Sequence, residues 1–187
     1  MTTYIIPKEN VRLRHTASTD IARPSMQGVY FDKKRKVAVA TDGHIMGIQR
    51  THGDNPPSGH LVKFDKLKKT NGQHYTFSPL KDNTFAETSG AGNATIEPEK
   101  HFPDWWNVIP AKREKSFIVT LDAGLLKKLA DAIDGDTEQR LTLEFDAANP
   151  LAAVVVQGRL GAGIIMPCKT TDDAKQPLKT LKELVKP

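Results

Sequence analysis

Short apolar runs and alternating apolar–polar segments, broken by Gly-, Pro- and Asn-rich turns, make strands the dominant element of the first two thirds of the chain. Gly28-Val29-Tyr30-Phe31-Asp32 reads as a short strand, Lys33-Lys34-Arg35 as a charged turn, and Lys36 to Thr41 as its hairpin partner. Asp42-Gly43 punctuates the pair, and Ile45 to Arg50 continues as another strand. Thr51 to Gly59, rich in Gly, Pro and Asn, is a loop. His60-Leu61-Val62 is a brief strand. Asp65 stands where it would cap a short helix over Lys66 to Thr70, which Asn71-Gly72 would stop. Tyr75 to Ser78, Thr84 to Thr88 and Ala94 to Glu97 are three more alternating segments, separated by Gly- and Asn-rich turns.

The pattern changes after a Pro-bounded connector, Pro103 to Pro110, and the charged stretch Ala111 to Lys115. Phe117 to Leu121 reads as a strand. Asp122 caps a helix predicted over Ala123 to Ile133, closed by Asp134-Gly135, with Leu125, Leu126, Leu129 and Ile133 as its apolar stripe. Leu141 to Phe145, Leu151 to Gln157 and Gly163 to Met166 are further strands. From Thr170 the chain is polar, and Pro177 to Val185 is a short amphipathic helix candidate.

A repeat of strand, helix and three strands emerges from this order. It is plain over about 116–168, weaker over about 59–98, and lacks a convincing helix over about 3–50, where Ala22-Arg23-Pro24 disfavours one. The expected division is 1–110, 111–169 and a polar tail, 170–187.

Composition narrows the classes. The 187 residues suffice for one large or two small domains, with 38% hydrophobic and 26% charged residues, as in ordinary globular proteins. Twenty-seven Lys and Arg against 22 Asp and Glu give a net charge of +5, compatible with a nucleic-acid partner without requiring one. Cys168 is the only cysteine, so no internal disulfide forms and a reducing compartment is expected. Neither a signal peptide nor a membrane-spanning run is evident, which leads to the expectation of a cytoplasmic protein without a membrane partner.

Catalytic chemistry is thin. His44, His52, His60 and His74 lack metal-ligand spacing, and neither a metal nor another cofactor is expected. Gly158 to Gly163 lacks the lysine and following helix of a phosphate-binding loop, so a strand-to-strand turn is the better reading. Cys168 follows a proline among apolar residues and reads as packing rather than as a nucleophile. Trp105-Trp106 could stack on bases, but beside Pro103 and Val108 it reads as a structural plug. No enzyme is expected.

Three separated phrases carry a stronger signal: Val39-Ala40-Thr41-Asp42-Gly43-His44, His101-Phe102-Pro103-Asp104-Trp105-Trp106-Asn107-Val108-Ile109-Pro110, and Gly163-Ile164-Ile165-Met166-Pro167-Cys168-Lys169. In order and separation they resemble the bacterial DNA sliding clamp family, the β subunit of the replicative polymerase. There, a strand ending in A-T-D-G-H closes the first half of the middle domain, an F-P-D-x-x-x-V-x-P phrase links the middle and last domains, and an apolar-Met-Pro phrase ends the protein. The resemblance implies an α+β, DNA-clamp-like fold of antiparallel sheets with few helices, built from βαβββ units. Residues 1–110 resemble a middle domain and 116–169 the second half of a last domain, so about half of a clamp subunit is represented.

By the same resemblance, a groove that captures short linear motifs of polymerases and repair proteins would comprise Thr41, Gly43, His44, Met46, Pro103, Val108, Ile164, Met166, Pro167 and Cys168. Met and Ile make such a groove apolar and adaptable. Ile45 and Asn107 depart from the family, which usually has Arg at both places. Lys66, Lys68 and Lys69 on the shorter helix, and Lys127 and Lys128 on the longer one, would face DNA phosphates and give weak, non-specific contact with duplex DNA. Three half-domain units per chain, set against the twelve of a family ring, would be met by a homo-oligomer of four. The expected function is a non-enzymatic processivity or scaffold factor in DNA replication or repair. The alternative is a clamp-like interaction protein or clamp decoy that does not encircle DNA, since Gln176 to Leu181 faintly resembles the Gln-plus-Leu peptides that clamps capture.

Overall fold

A computed structural model describes residues 2–52, 55–69, 72–99, 101–110, 118–134, 140–170 and 177–186. They divide into two compact units, Met1–Ile109 with Lys179–Pro187, and Pro110–Leu178.

Unit 1 begins with β1 (Tyr4–Pro7) and α1 (Lys8–Arg12), followed by β2 (Val29–Asp32), β3 (Val37–Thr41) and β4 (Met46–Arg50). Four more strands follow: β5 (His60–Asp65), β6 (His74–Pro79), β7 (Thr84–Glu87) and β8 (Asn93–Pro98). All eight form one antiparallel sheet in the order β1-β6-β7-β8-β5-β2-β3-β4. The two half-repeats, 4–50 and 60–98, therefore exchange strands. β1 leaves its own half to pair with β6, Ile6 opposite Tyr75, while β5 pairs with β2, Val29 opposite Val62.

The main core is made by Ile6, Val11, Val29, Phe31, Val62 and Phe77 among others. Full burial of each large apolar side chain contributes roughly 1.5–3 kcal/mol. β3 is buried along its whole length because both faces are covered. Ala38 and Ala40 face this core, whereas Val37 and Val39 face a second cluster that contains Trp105.

Helix placement within unit 1 differs from the sequence expectation in both halves. The first half does contain a helix, α1, directly after β1 rather than near Pro24, where only a three-residue 3-10 turn forms. α1 has no side-chain cap, and tertiary contact secures it. Buried Asn10 donates from Nδ2 to the Arg50 carbonyl at 3.0 Å, and Val11 enters the core. Conversely, the expected helix over Lys66 to Thr70 is not formed at Lys66–Lys69; Thr70 and Asn71 lie outside the described residues. Asp65 ends β5 instead of capping, Lys66 takes φ of +47°, and Leu67 is drawn into the core. Lys68 then bonds Ala91 through its N–H at 2.7 Å and accepts from the Tyr75 hydroxyl at 3.1 Å. A left-handed residue followed by these non-helical bonds is incompatible with a helical turn. Gly92, at φ +156°, lies beside this segment, where a Cβ would stand 2.9 Å from the Asp65 carbonyl oxygen.

Unit 2 contains α2 (Ala123–Ile133) and a three-stranded antiparallel sheet of β9 (Thr142–Glu144), β10 (Val154–Gln157) and β11 (Ala162–Ile165), in the order β11-β10-β9. Asp122 Oδ1 accepts from the Leu125 N–H at 2.9 Å and caps α2 as its sequence predicts. The buried face of α2 consists of Leu126, Leu129, Ala130 and Ile133, at helical spacing; Leu125, which the sequence placed on it, is 52% exposed. The predicted strand over Phe117 to Leu121 reduces, among the described residues, to a bridge between Thr120 and Cys168; Phe117 lies outside them. Buried Asp134 ends the helix. Its carboxylate accepts from the N–H groups of Arg159, at 2.7 Å, and Arg140, at 2.9 Å, tying the helix end to the β10–β11 connection and to the residues that lead into β9.

The chain closes with α3 (Pro177–Leu184). Leu184 and Val185 pack on the Trp105 cluster of unit 1, and Arg50 donates to the Glu183 carbonyl at 2.9 Å.

Candidate functional site

The Thr41-to-Met46 turn is fixed by its own side chains. The Thr41 hydroxyl donates to the Ile45 carbonyl at 2.7 Å and accepts from the Gly43 N–H at 3.0 Å. Asp42 Oδ1 accepts from the N–H groups of His44, at 2.8 Å, and Ile45, at 2.9 Å. The bonds from Ile45 and then His44 hold the exposed Asp42 carboxyl below its ordinary pKa. Gly43 has φ of +94°, a conformation that favours glycine. The Thr-Asp-Gly-His order thus makes a rigid turn that leaves His44 and Ile45 exposed.

The connector is pinned alongside. Phe102 stacks on Tyr30 with centroids 4.9 Å apart. Burial, then the nearby carboxylates of Asp32 and Glu99, raise the Tyr30 hydroxyl pKa above its ordinary value, with Arg35 opposing them. Trp105, only 2% exposed, plugs the space over Val37 and Val39, and its buried Nε1 has no hydrogen-bond partner among the described residues. Trp106 meets it edge-on at 6.1 Å. The Arg35 guanidinium lies 4.2 Å above the Trp106 ring, oriented by Asp32 at 3.5 Å.

Between turn and connector lies a cavity of about 320 Å³. Six residues named from the sequence line it: Thr41, Gly43, His44, Met46, Pro103 and Val108. Met26, Ile45, Asp104 and Trp105 complete the lining and were missed as site residues. Trp105 was read as structural, and Ile45 was noticed only as a departure. Met26 comes from an irregular segment whose pattern gives no periodic signal. Ile45 and Val108, 52% and 70% exposed, place apolar surface at the rim.

The other four groove candidates belong to unit 2. Ile164 and Met166 are 66% and 60% exposed, and Ile164 pairs across the sheet with outward-facing Val155. Pro167 is half-buried; exposed Cys168 donates from its backbone N–H to the Thr120 carbonyl at 2.7 Å.

Lys66, Lys68 and Lys69 are exposed on the irregular segment after β5 rather than on a helix. Lys127 and Lys128 are exposed on α2, and Lys127 bonds Asp131 at 3.0 Å. Gln176, which opens the candidate decoy motif, lies outside the described residues, while Leu178 and Leu181 are half-buried on α3. Among the described residues no group of His, Cys, Asp or Glu could hold a metal ion, and no helix is long and apolar enough to cross a membrane.

An exchanged-strand antiparallel sheet with few helices, followed by a single helix-and-sheet unit, is an α+β fold of the clamp type. More particularly, it is the fold of the bacterial β sliding clamps. The chain is similar to the β sliding clamp of Caulobacter crescentus, with a TM-score of 0.56 and 18% identity over 89% of this chain and 50% of that one. It is similar to the DNA polymerase sliding clamp of Bacillus subtilis, with a TM-score of 0.58 and 14% identity over 90% of this chain and 50% of that one. Another Caulobacter crescentus pol III β structure gives a TM-score of 0.57 and 18% identity, covering 98% of this chain and 56% of that one. The chain therefore spans about half the length of these clamps. No family model and no curated protein sequence matches it.

Proposed function

We propose that the chain is a non-enzymatic, clamp-fold scaffold that captures short linear motifs of replication or repair proteins in the cavity of unit 1. The observation that carries this reading is the convergence of residues from two distant phrases, 41–46 and 103–108, on one cavity with an apolar rim. An extended peptide would bury one or two large apolar side chains there, while the rigid turn and the plugged connector keep the cost of ordering the site low. Ile164, Met166, Pro167 and Cys168 of unit 2 are proposed as further peptide contacts. Their contribution is separable because they belong to a different unit.

The test is calorimetric titration with a synthetic peptide of the Gln-plus-Leu type. Binding is expected, and Val108→Asp, at a largely exposed position, should weaken it at least about tenfold, or ~1.4 kcal/mol. Ile164→Lys reports on unit 2. Absence of binding to the wild-type chain, or indifference to Val108→Asp, would sink the reading.

Weak, non-specific contact with duplex DNA is part of the same proposal, supported by the +5 charge and the exposed lysines. It should fade steeply with added salt. The decoy alternative is less well supported, because segment 177–181 belongs to α3, whose end is packed on unit 1 and would have to come free.

A further inference from the structure

Unit 1 contains a rule for closing a half-repeat. The first strand of each half pairs with the first strand of the other half's group of three: β1 with β6, and β5 with β2. These two pairings are the same operation performed twice, as a two-fold axis would perform it. β5 also pairs with β8, the last strand of its own half.

Unit 2 has the parts of one such half. Its first segment, around Thr120, bridges to Cys168 just beyond β11, the counterpart of β5 meeting β8. Its group of three begins with β9, which is at the edge of the sheet; among the described residues nothing pairs with that outer edge. Facing sides are apolar on both segments. Val119 and Leu121 on the first, and Leu141, Leu143 and Phe145 along β9 and its flanks, touch the core but are only half-buried. An open strand edge beside a half-covered core is a template for pairing with another chain.

We propose that unit 2 completes itself against unit 2 of a second copy of this chain, with the Thr120 segment of each copy lying antiparallel along β9 of the other. The second copy is the fitting occupant because the rule in unit 1 is reciprocal. Each half supplies one first strand and receives one, and among the described residues unit 2 has both a first segment and a β9 edge that pairs with nothing. Keeping inward side chains opposite inward ones places Leu143 against Val119 or Leu121, and Thr120 against Thr142 or Glu144. The interface is isologous and independent of peptide capture by unit 1.

Sedimentation equilibrium of the full chain should give a mass that is an even multiple of 20.6 kDa. Leu143→Lys, which puts a charge into the facing row, should halve that mass. In a Cys168→Ser background, a Thr120→Cys chain and a differently tagged Thr142→Cys or Glu144→Cys chain should form a disulfide-linked pair when mixed and oxidised. This second measurement does not depend on Leu143→Lys folding. A wild-type chain that stays monomeric into the high micromolar range would overturn the proposal. So would an association that survives Leu143→Lys, or a failure of both cysteine pairings to cross-link.

Discussion

Unit 1 joins two halves, each with a first strand and a group of three, whereas unit 2 has the parts of a single half, and the two finish their cores differently. In unit 1 two halves exchange first strands, and among the described residues fourteen of the main core are buried against four that are partly covered. In unit 2, among the described residues, four are buried and seven are only partly covered. A strand–helix–three-strand unit has one apolar face and two open strand edges. Alone it leaves the rim of that face wet, and small assemblies bury too little surface to offset the entropy of ordering the chain. The stable unit of this architecture is therefore the pair of halves rather than the single repeat.

The largest expected effect falls in unit 1. Phe77→Ala empties a fully enclosed site and should cost about 3–5 kcal/mol, read as faster hydrogen exchange in β1 and β6, with the amides of α2 unaffected. Equal acceleration in α2 would break the comparison, because the two units would then unfold together. Ile133→Ala in unit 2 should cost about 2 kcal/mol, at the low end for such a change, since its surroundings are half-covered and can relax. Asp122→Ala removes the cap bond to Leu125 and should cost about 1 kcal/mol, confined to α2 in an exchange experiment.

The least effect is a shallow acid dependence of unit 1. The Glu87 carboxylate is buried, which by itself would raise its pKa, but the hydroxyl of Ser89 and the N–H groups of Ala91 and Ser89 outweigh this and lower it. A lowered folded pKa means that this stabilisation is present above the ordinary value of 4.5 and lost as pH falls below it toward the folded value. Thermal melts of Glu87→Gln between neutral and acid pH should have a reduced slope, and an unchanged slope would assign the acid response elsewhere.

The sequence was legible wherever local chemistry and tertiary packing agree. α2 could be bounded at both ends because a capping Asp precedes an apolar stripe of helical period. Leu125 was misplaced because consecutive leucines cannot both occupy a narrow stripe, and Ala130 completes the buried face instead. α1 was invisible: it has five residues, follows Pro7 without a cap, and depends on a hydrogen bond donated by the Asn10 side-chain amide to a strand forty residues away. The opposite error at Lys66 arose because Asp65 followed by lysines mimics a capped helix, while the pull of Leu67 into the core is a tertiary effect. For the cavity, Asp-Gly chemistry marked the turn, while the choice of its residues as groove residues came from the resemblance to the clamp family. Met26 had neither signal, because nothing in Pro24-Ser25-Met26 says which strand end it will lie beside.

The placing of the two tryptophans has an optical consequence. Both indoles of the chain are at 105 and 106, so its tryptophan emission originates wholly in unit 1 and unit 2 is dark at that wavelength. With the rings edge-on at 6.1 Å, the pair is close enough for its excited states to couple and to produce a circular dichroism couplet. Loss of that couplet would time the release of the connector. Trp105 faces the cavity, so the same chromophores make an unlabelled reporter of whatever enters it.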